Sequence, residues 1–112
     1  MLLREVIEVI SRYVREIEVQ GIEVEKVLLF GSRARGDSRP ESDIDLLVIS
    51  RDFAAMPTWR RWEILGRAAS RIMAPVEARG HSPEEIDLAK LPKVSFLREI
   101  LTRPETMEVD YH

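Results

Sequence analysis

The sequence predicts an α/β (α+β) fold on three observations. Two short runs, Val24 to Phe30, which ends in V-L-L-F, and Ile44 to Ile49, which is apolar apart from Asp45, are too short and too apolar for surface helices. Two longer stretches repeat apolar residues at three- and four-residue steps, the period of a helix with one buried face. Turn formers, among them Gly21, Gly31, Gly36, Pro40 and Pro75, stand between these segments.

The elements follow in order. Leu3, Ile7, Ile10, Val14 and Ile17, with charged residues between them, predict a first amphipathic helix closed by Gly21. Val24 to Phe30 predicts a buried strand that runs into Gly31-Ser32. Arg33 to Glu41 reads as a turn of helix and a loop, and Ile44 to Ile49 as a central strand covered on both sides. Pro57 opens a second long helix, in which Trp59, Trp62, Leu65, Ala69, Ile72 and Met73 recur at helical spacing. The two tryptophans are expected in the core or an interface, and Arg60, Arg67 and Arg71 on a solvated face.

Pro75 to Gly80 predicts a short strand with proline where no ladder donor is lost. Ser82-Pro83-Glu84-Glu85 is a capping box with proline at the first helical position, so a short helix is expected through Ala89, with His81 in the loop before it. Val94 to Leu101 predicts a further short helix, and Thr106 to Tyr111 an edge strand or ordered tail.

The chain has 112 residues, a single-domain length covering 1–112, and its 45% hydrophobic and 33% charged composition is that of a folding sequence rather than a disordered one. A net charge of −3 gives no global basic field, which argues against a general binder of nucleic acid or anionic membrane. There is no cysteine, so disulfides, zinc-thiolate sites and thiol nucleophiles are excluded. No run approaches the ~18 apolar residues of a membrane span, and a cytoplasmic protein is expected. Arginine outnumbers lysine fourteen to three and asparagine is absent, a bias seen in heat-adapted proteins.

The chemistry lies in V-L-L-F-G-S-R-A-R-G-D-S-R-P-E-S-D-I-D-L-L-V. Asp43 and Asp45, two apart at the head of a strand, project from one face while Ile44 enters the core. Two carboxylates so close repel unless a cation neutralises them, and oxygen donors without histidine or cysteine select Mg²⁺ or Mn²⁺. Just upstream, Gly31-Ser32 at the start of a helical turn offers backbone N–H groups and a hydroxyl to phosphate oxygens, and Arg33 and Arg35 offer fixed positive charge. Gly31 and Gly36 have the spacing of a Walker A loop, but Asp37 stands where that loop needs lysine, so the P-loop reading is rejected. Arg35-Gly36-Asp37 spells an adhesion tripeptide by chance.

G-S-R-A-R-G followed by S-D-I-D-L resembles the signature of the DNA polymerase β-type nucleotidyltransferase superfamily, specifically its minimal nucleotidyltransferases. The resemblance extends through V-E-A-R-G-H-S-P-E-E-I, where the family carries a third carboxylate on a strand before a capped helix, and by order that acid is Glu77. It implies a small mixed β-sheet flanked by helices, Gly31 and Ser32 on a triphosphate, and Asp43, Asp45 and Glu77 around two Mg²⁺ ions, with Mn²⁺ as the alternative. Glu77 is then the expected base for an acceptor hydroxyl that attacks the α-phosphorus of ATP. The sequence departs from the commoner pattern in having Glu rather than Asp at this third position.

So short a chain leaves little for an acceptor pocket, so a second protein or self-association is expected to complete the site. The resemblance implies a HEPN-domain toxin as that partner, with this chain as antitoxin. The competing expectation is a catalytically weak or inactive module that neutralises a partner by occlusion; a transferase acting on a small-molecule hydroxyl is a third.

Overall fold

The computed structural model describes residues 2–39 and 41–111. Helix α1 (Leu3–Glu18) buries Val6, Ile10, Tyr13, Val14 and Ile17. This stripe is rotated slightly from the expected one: Leu3 is exposed, and Tyr13 takes a core position by donating its hydroxyl to the Leu65 carbonyl at 3.0 Å. Strand β1 (Lys26–Phe30) leads through the four-residue helix α2 (Ser32–Arg35) to strand β2 (Ile44–Ile49). Helix α3 (Thr58–Ile72) crosses back to strand β3 (Val76–His81), and helix α4 (Phe96–Thr102) precedes the two-residue strand β4 (Met107–Glu108).

The sheet has the order β3-β2-β1-β4. β1 is antiparallel to β2 and to β4, and β2 is parallel to β3, so the sheet is mixed, as the resemblance implied. The parallel pair follows from α3, because two parallel neighbours need a crossover long enough to return the chain to the starting edge.

Side-chain alternation divides the sheet into two faces. Val27, Leu29, Ile44, Leu46 and Val48 join residues of α1 and α3 in the main core. Leu47 and Ile49 face the other way and form a smaller cluster with Ile100, flanked by Leu28, Phe30, Ile86, Leu97 and Leu101. By the same alternation Asp45 and Glu77 emerge on this second face.

Three expectations need correction. Trp59 and Trp62 are not core residues: they are 64% and 65% exposed, because α3 buries only the narrow stripe of Ile64, Leu65 and Ala68. The capped helix expected through Ala89 is a single 3₁₀ turn (Pro83–Ile86). Both halves of its capping box form, but the Asp87 backbone is extended and its carboxylate accepts from Ala89 N–H, which ends the helix. His81 is the last residue of β3 rather than part of a loop.

Arg61 ties these elements together. Its guanidinium donates to the carbonyls of Met56 and Gly80, each at 3.0 Å, and grips both Glu85 carboxylate oxygens at 2.6 and 2.9 Å. This bidentate contact holds the Glu85 carboxyl at about 2, well below the usual range. Among the described residues, no helix is long and apolar enough to cross a membrane.

Candidate active site

The site begins where β1 ends. Gly31 has φ +75° and ψ −157°, a conformation essentially confined to glycine. A second constraint acts at the same atom: a Cβ built on Gly31 would lie 2.2 Å from Asp45 Oδ2 and 3.0 Å from its Cγ. The bare Gly31 backbone and the Asp45 carboxylate are therefore in direct contact. Ser32 starts α2, whose first N–H groups have no carbonyl of an earlier turn to bond to, and Gly36 ends it in the left-handed region.

β2 supplies the acids. Asp45 lies opposite Phe30 of β1 and opposite Glu77 of β3, so the Asp45 and Glu77 side chains leave the same face on neighbouring strands. Asp43 stands two residues earlier, exposed, just before the strand starts. The Asp45 carboxyl is pushed above its usual range, first by burial and then by the negative charges of Glu77 and Asp43, while Arg35 opposes the shift. The three acids thus share one electrostatic site, with Arg35 at its border. Among the described residues, no three acidic or histidine side chains stand close enough to form a ready-made metal cage. The donor set nevertheless fits a hard divalent ion: it is all oxygen, and its mutual repulsion is what such an ion would relieve.

The arginines divide. Arg35 is exposed and bonds Asp37 at 3.2 Å. Arg33 is only 8% exposed, and its guanidinium turns inward, donating to Ser38 Oγ at 3.2 Å and to the Ser42 carbonyl at 3.0 Å. It was expected on the nucleotide, but its placement is that of a brace for the loop that delivers Asp43. Ser42 adds to the brace, accepting from Arg39 N–H at 2.9 Å. The expected turn at Pro40 lies outside the described residues.

Glu77 is exposed and makes no ion pair among the described residues. Its neighbour on the same face, Arg79, instead holds its guanidinium 4.4 Å from the centre of the Phe96 ring. Phe96 in turn meets Phe30 edge to face at 6.3 Å. Sequence reasoning missed this Phe30–Phe96–Arg79 stack beside the acids; the one available signal was that Glu77 and Arg79 are two apart on a strand.

A family model, that of the nucleotidyltransferase domain, matches residues 7–105. The chain belongs to the nucleotidyltransferase domain family. It is 37% identical over 68 residues to a putative protein adenylyltransferase of Methanocaldococcus jannaschii, a match covering 60% of this chain and 66% of that protein, just under two thirds of its length. The fold is similar to the crystal structure of a putative nucleotidyltransferase from Sulfolobus solfataricus, with a TM-score of 0.58 at 29% identity over 70% of this chain and 68% of the other. The crystal structure of a toxin-antitoxin with AMP-PNP is a more distant likeness, with a TM-score of 0.47 at 25% identity over 62% and 56% of the two chains.

Proposed function

We propose that this nucleotidyltransferase-family chain transfers AMP from ATP to a hydroxyl on a partner protein. The observation that carries the reading is the meeting of Gly31, Asp45 and Glu77: the bare Gly31 backbone at the start of α2 lies against one acid, and a second acid stands opposite it in the sheet register. The likeness to a protein adenylyltransferase supports ATP as donor and a protein as acceptor.

In this reading the Gly31-Ser32 turn binds the triphosphate through backbone N–H groups and the Ser32 hydroxyl, and Arg35 adds positive charge at its edge. Asp43, Asp45 and Glu77 would hold the Mg²⁺ ions, for which Mn²⁺ could substitute. Such ions supply charge neutralisation at the phosphates. Glu77, on the open side of the site, takes the proton of the acceptor hydroxyl. The hydroxyl oxygen forms a bond to the α-phosphorus, the bond from that phosphorus to the bridging oxygen of the β-phosphate breaks, and pyrophosphate leaves. Arg33 is a positioning residue, setting the loop that carries Asp43.

The acceptor is proposed to be a HEPN-domain protein, with this chain acting as its antitoxin in the cytoplasm. The support is the family resemblance and the exposure of Glu77 and Asp43, which leaves the acceptor side of the site open to a second chain. The test is co-expression with a HEPN protein and incubation with α-labelled ATP. Label on the partner that is lost in Asp45→Asn is the expected result. A complex that forms and neutralises the partner with no label in either case would establish occlusion instead.

A further inference from the structure

The sheet ends on one side at β3, and the hydrogen-bonding parity of that strand can be read from its contacts with β2. Ile44 N–H donates to the Pro75 carbonyl at 2.8 Å and Ser50 N–H to the His81 carbonyl at 3.0 Å. In a parallel ladder this assigns the odd-numbered residues of β3 to β2, so the N–H and C=O groups of the even-numbered residues point outward. Two of these are already used: Val76 N–H donates to the Ala74 carbonyl, and the Gly80 carbonyl accepts from Arg61. Ala78 is left presenting both a donor and an acceptor at the open edge, with the Val76 carbonyl beside it.

Edges of this kind are usually blunted by proline, a bulge or charged side chains; β3 has no proline or bulge between Val76 and His81, and its two exposed charges, Glu77 and Arg79, are of opposite sign. Beside it, Trp62 lines a groove with Tyr13, Leu65, Gly66, Val76 and Ala78, on the face that α3 covers. Trp59 and Trp62 are the chain's only tryptophans, and both are mostly exposed on this helix. A tryptophan can bury about 150–250 Å² and is a preferred interface anchor.

We infer that this edge is where a second copy of the chain docks, β3 pairing antiparallel with β3 about a two-fold axis at Ala78. Charge selects the occupant and the register. Pairing centred on Ala78 sets Glu77 opposite Arg79 of the second copy, twice over, while Ala78 exchanges both backbone hydrogen bonds with its mate. Moving the axis by one residue sets Glu77 against Glu77, or Arg79 against Arg79, directly opposite each other. The strand is thus self-complementary in one register and self-repelling in the two adjacent ones. The same pairing brings the two α3 helices side by side with their tryptophans between them. It also brings an arginine of the second copy to Glu77, so each acidic site would border the other chain.

The test is the solution mass of the purified chain by sedimentation across a dilution series, with tryptophan emission followed in parallel. The expected mass is twice the 13.0 kDa of one chain, falling to one chain on dilution as the emission shifts to the red. Arg79→Glu should weaken the dimer by about tenfold or more, since two opposite-charge pairs become like-charge pairs, and Glu77→Arg combined with Arg79→Glu should restore it. Ala78→Pro should also give a monomer, because it removes an outward N–H that β2 does not use. Circular dichroism confirms that each variant folds. A native chain of 13.0 kDa at every concentration would overturn the inference, as would a dimer indifferent to Arg79→Glu or a double variant that stays monomeric. A monomer whose edge is instead occupied by a different protein, lost in Ala78→Pro, would overturn the second copy as occupant. None of these readouts involves nucleotide, so failure here is distinct from failure of the transferase reading.

Discussion

Replacing Gly31 with alanine tests the contact on which the site is built. Two effects act at this position. The backbone conformation, φ +75° and ψ −157°, costs a residue with a Cβ roughly 1–3 kcal/mol. The new methyl would also stand 2.2 Å from Asp45 Oδ2, so the carboxylate must retreat by roughly 1 Å to reach an ordinary contact. Aspartate is short enough to rotate away, so the second effect falls on function more than on stability. Gly36→Ala is the control: Gly36 also has positive φ, +84°, but its added Cβ would meet nothing within 4 Å. Both variants should melt lower, by roughly 4–5 °C for each kcal/mol lost in a domain of this size. Only Gly31→Ala should also lose Mg²⁺-ATP binding, by a factor on the order of 100, as a displacement of about 1 Å in a preorganised site implies. Calorimetry on both variants decides the matter. If Gly31→Ala binds as the native chain does, or if Gly36→Ala loses binding equally, the Gly31–Asp45 contact is not what shapes the site.

Other consequences follow from the same contacts. The Arg61–Glu85 pair should make stability fall in acid: Glu85 titrates at about 2 when folded against 4.5 when unfolded, so its contribution is full above 4.5 and is lost as pH drops towards 2. Because the carboxylate is about a third exposed, that contribution is roughly 1–2 kcal/mol after solvent screening. Glu85→Gln should therefore melt lower at pH 7 and show a flatter acid limb, and parallel acid limbs for the two proteins would count against the pair. Arg33→Met should free Ser38 and Ser42 from its guanidinium and so lower the melting temperature and weaken nucleotide binding together, whereas Arg35→Met should weaken binding and leave the melting temperature unchanged to within 1–2 °C, as expected for an exposed residue. Equal melting temperatures for native and Arg33→Met would contradict the bracing role. Tyr13→Phe should cost about 1 kcal/mol by removing the buried bond to the Leu65 carbonyl, read by urea unfolding; no change in the midpoint would refute it.

Much of this architecture is legible in the sequence because the signals are local. The apolar runs around Leu29 and Leu46 could only be buried strands, and the capping box at Ser82 forms as read. That Asp45 leaves the face opposite Ile44 follows from strand alternation alone, whereas Asp43 lies just before β2 and so outside the alternation expected to pair the two acids. What stayed hidden depends on contacts distant in sequence. Arg33, next to Gly31-Ser32, reads as a cation for phosphate oxygens, yet Ser38 and Ser42 supply oxygen acceptors that make its burial tolerable. Trp59 and Trp62 read as core or interface by hydrophobicity, and they are not in the core because α3 needs only Ile64, Leu65 and Ala68 to cover its part of the sheet. The position of Glu77 opposite Asp45 depends on how β2 and β3 align, which the crossover through α3 decides and no local pattern reveals.

The proposed function rests on the Gly31-Ser32 turn and the carboxylates forming one nucleotide site. The direct measurement is calorimetry of ATP binding with Mg²⁺ and with chelator, on the native chain and on Asp43→Asn/Asp45→Asn. Binding should require the ion in the native chain and be abolished by the double substitution. Equal binding in the substituted chain, or in chelator, would contradict it.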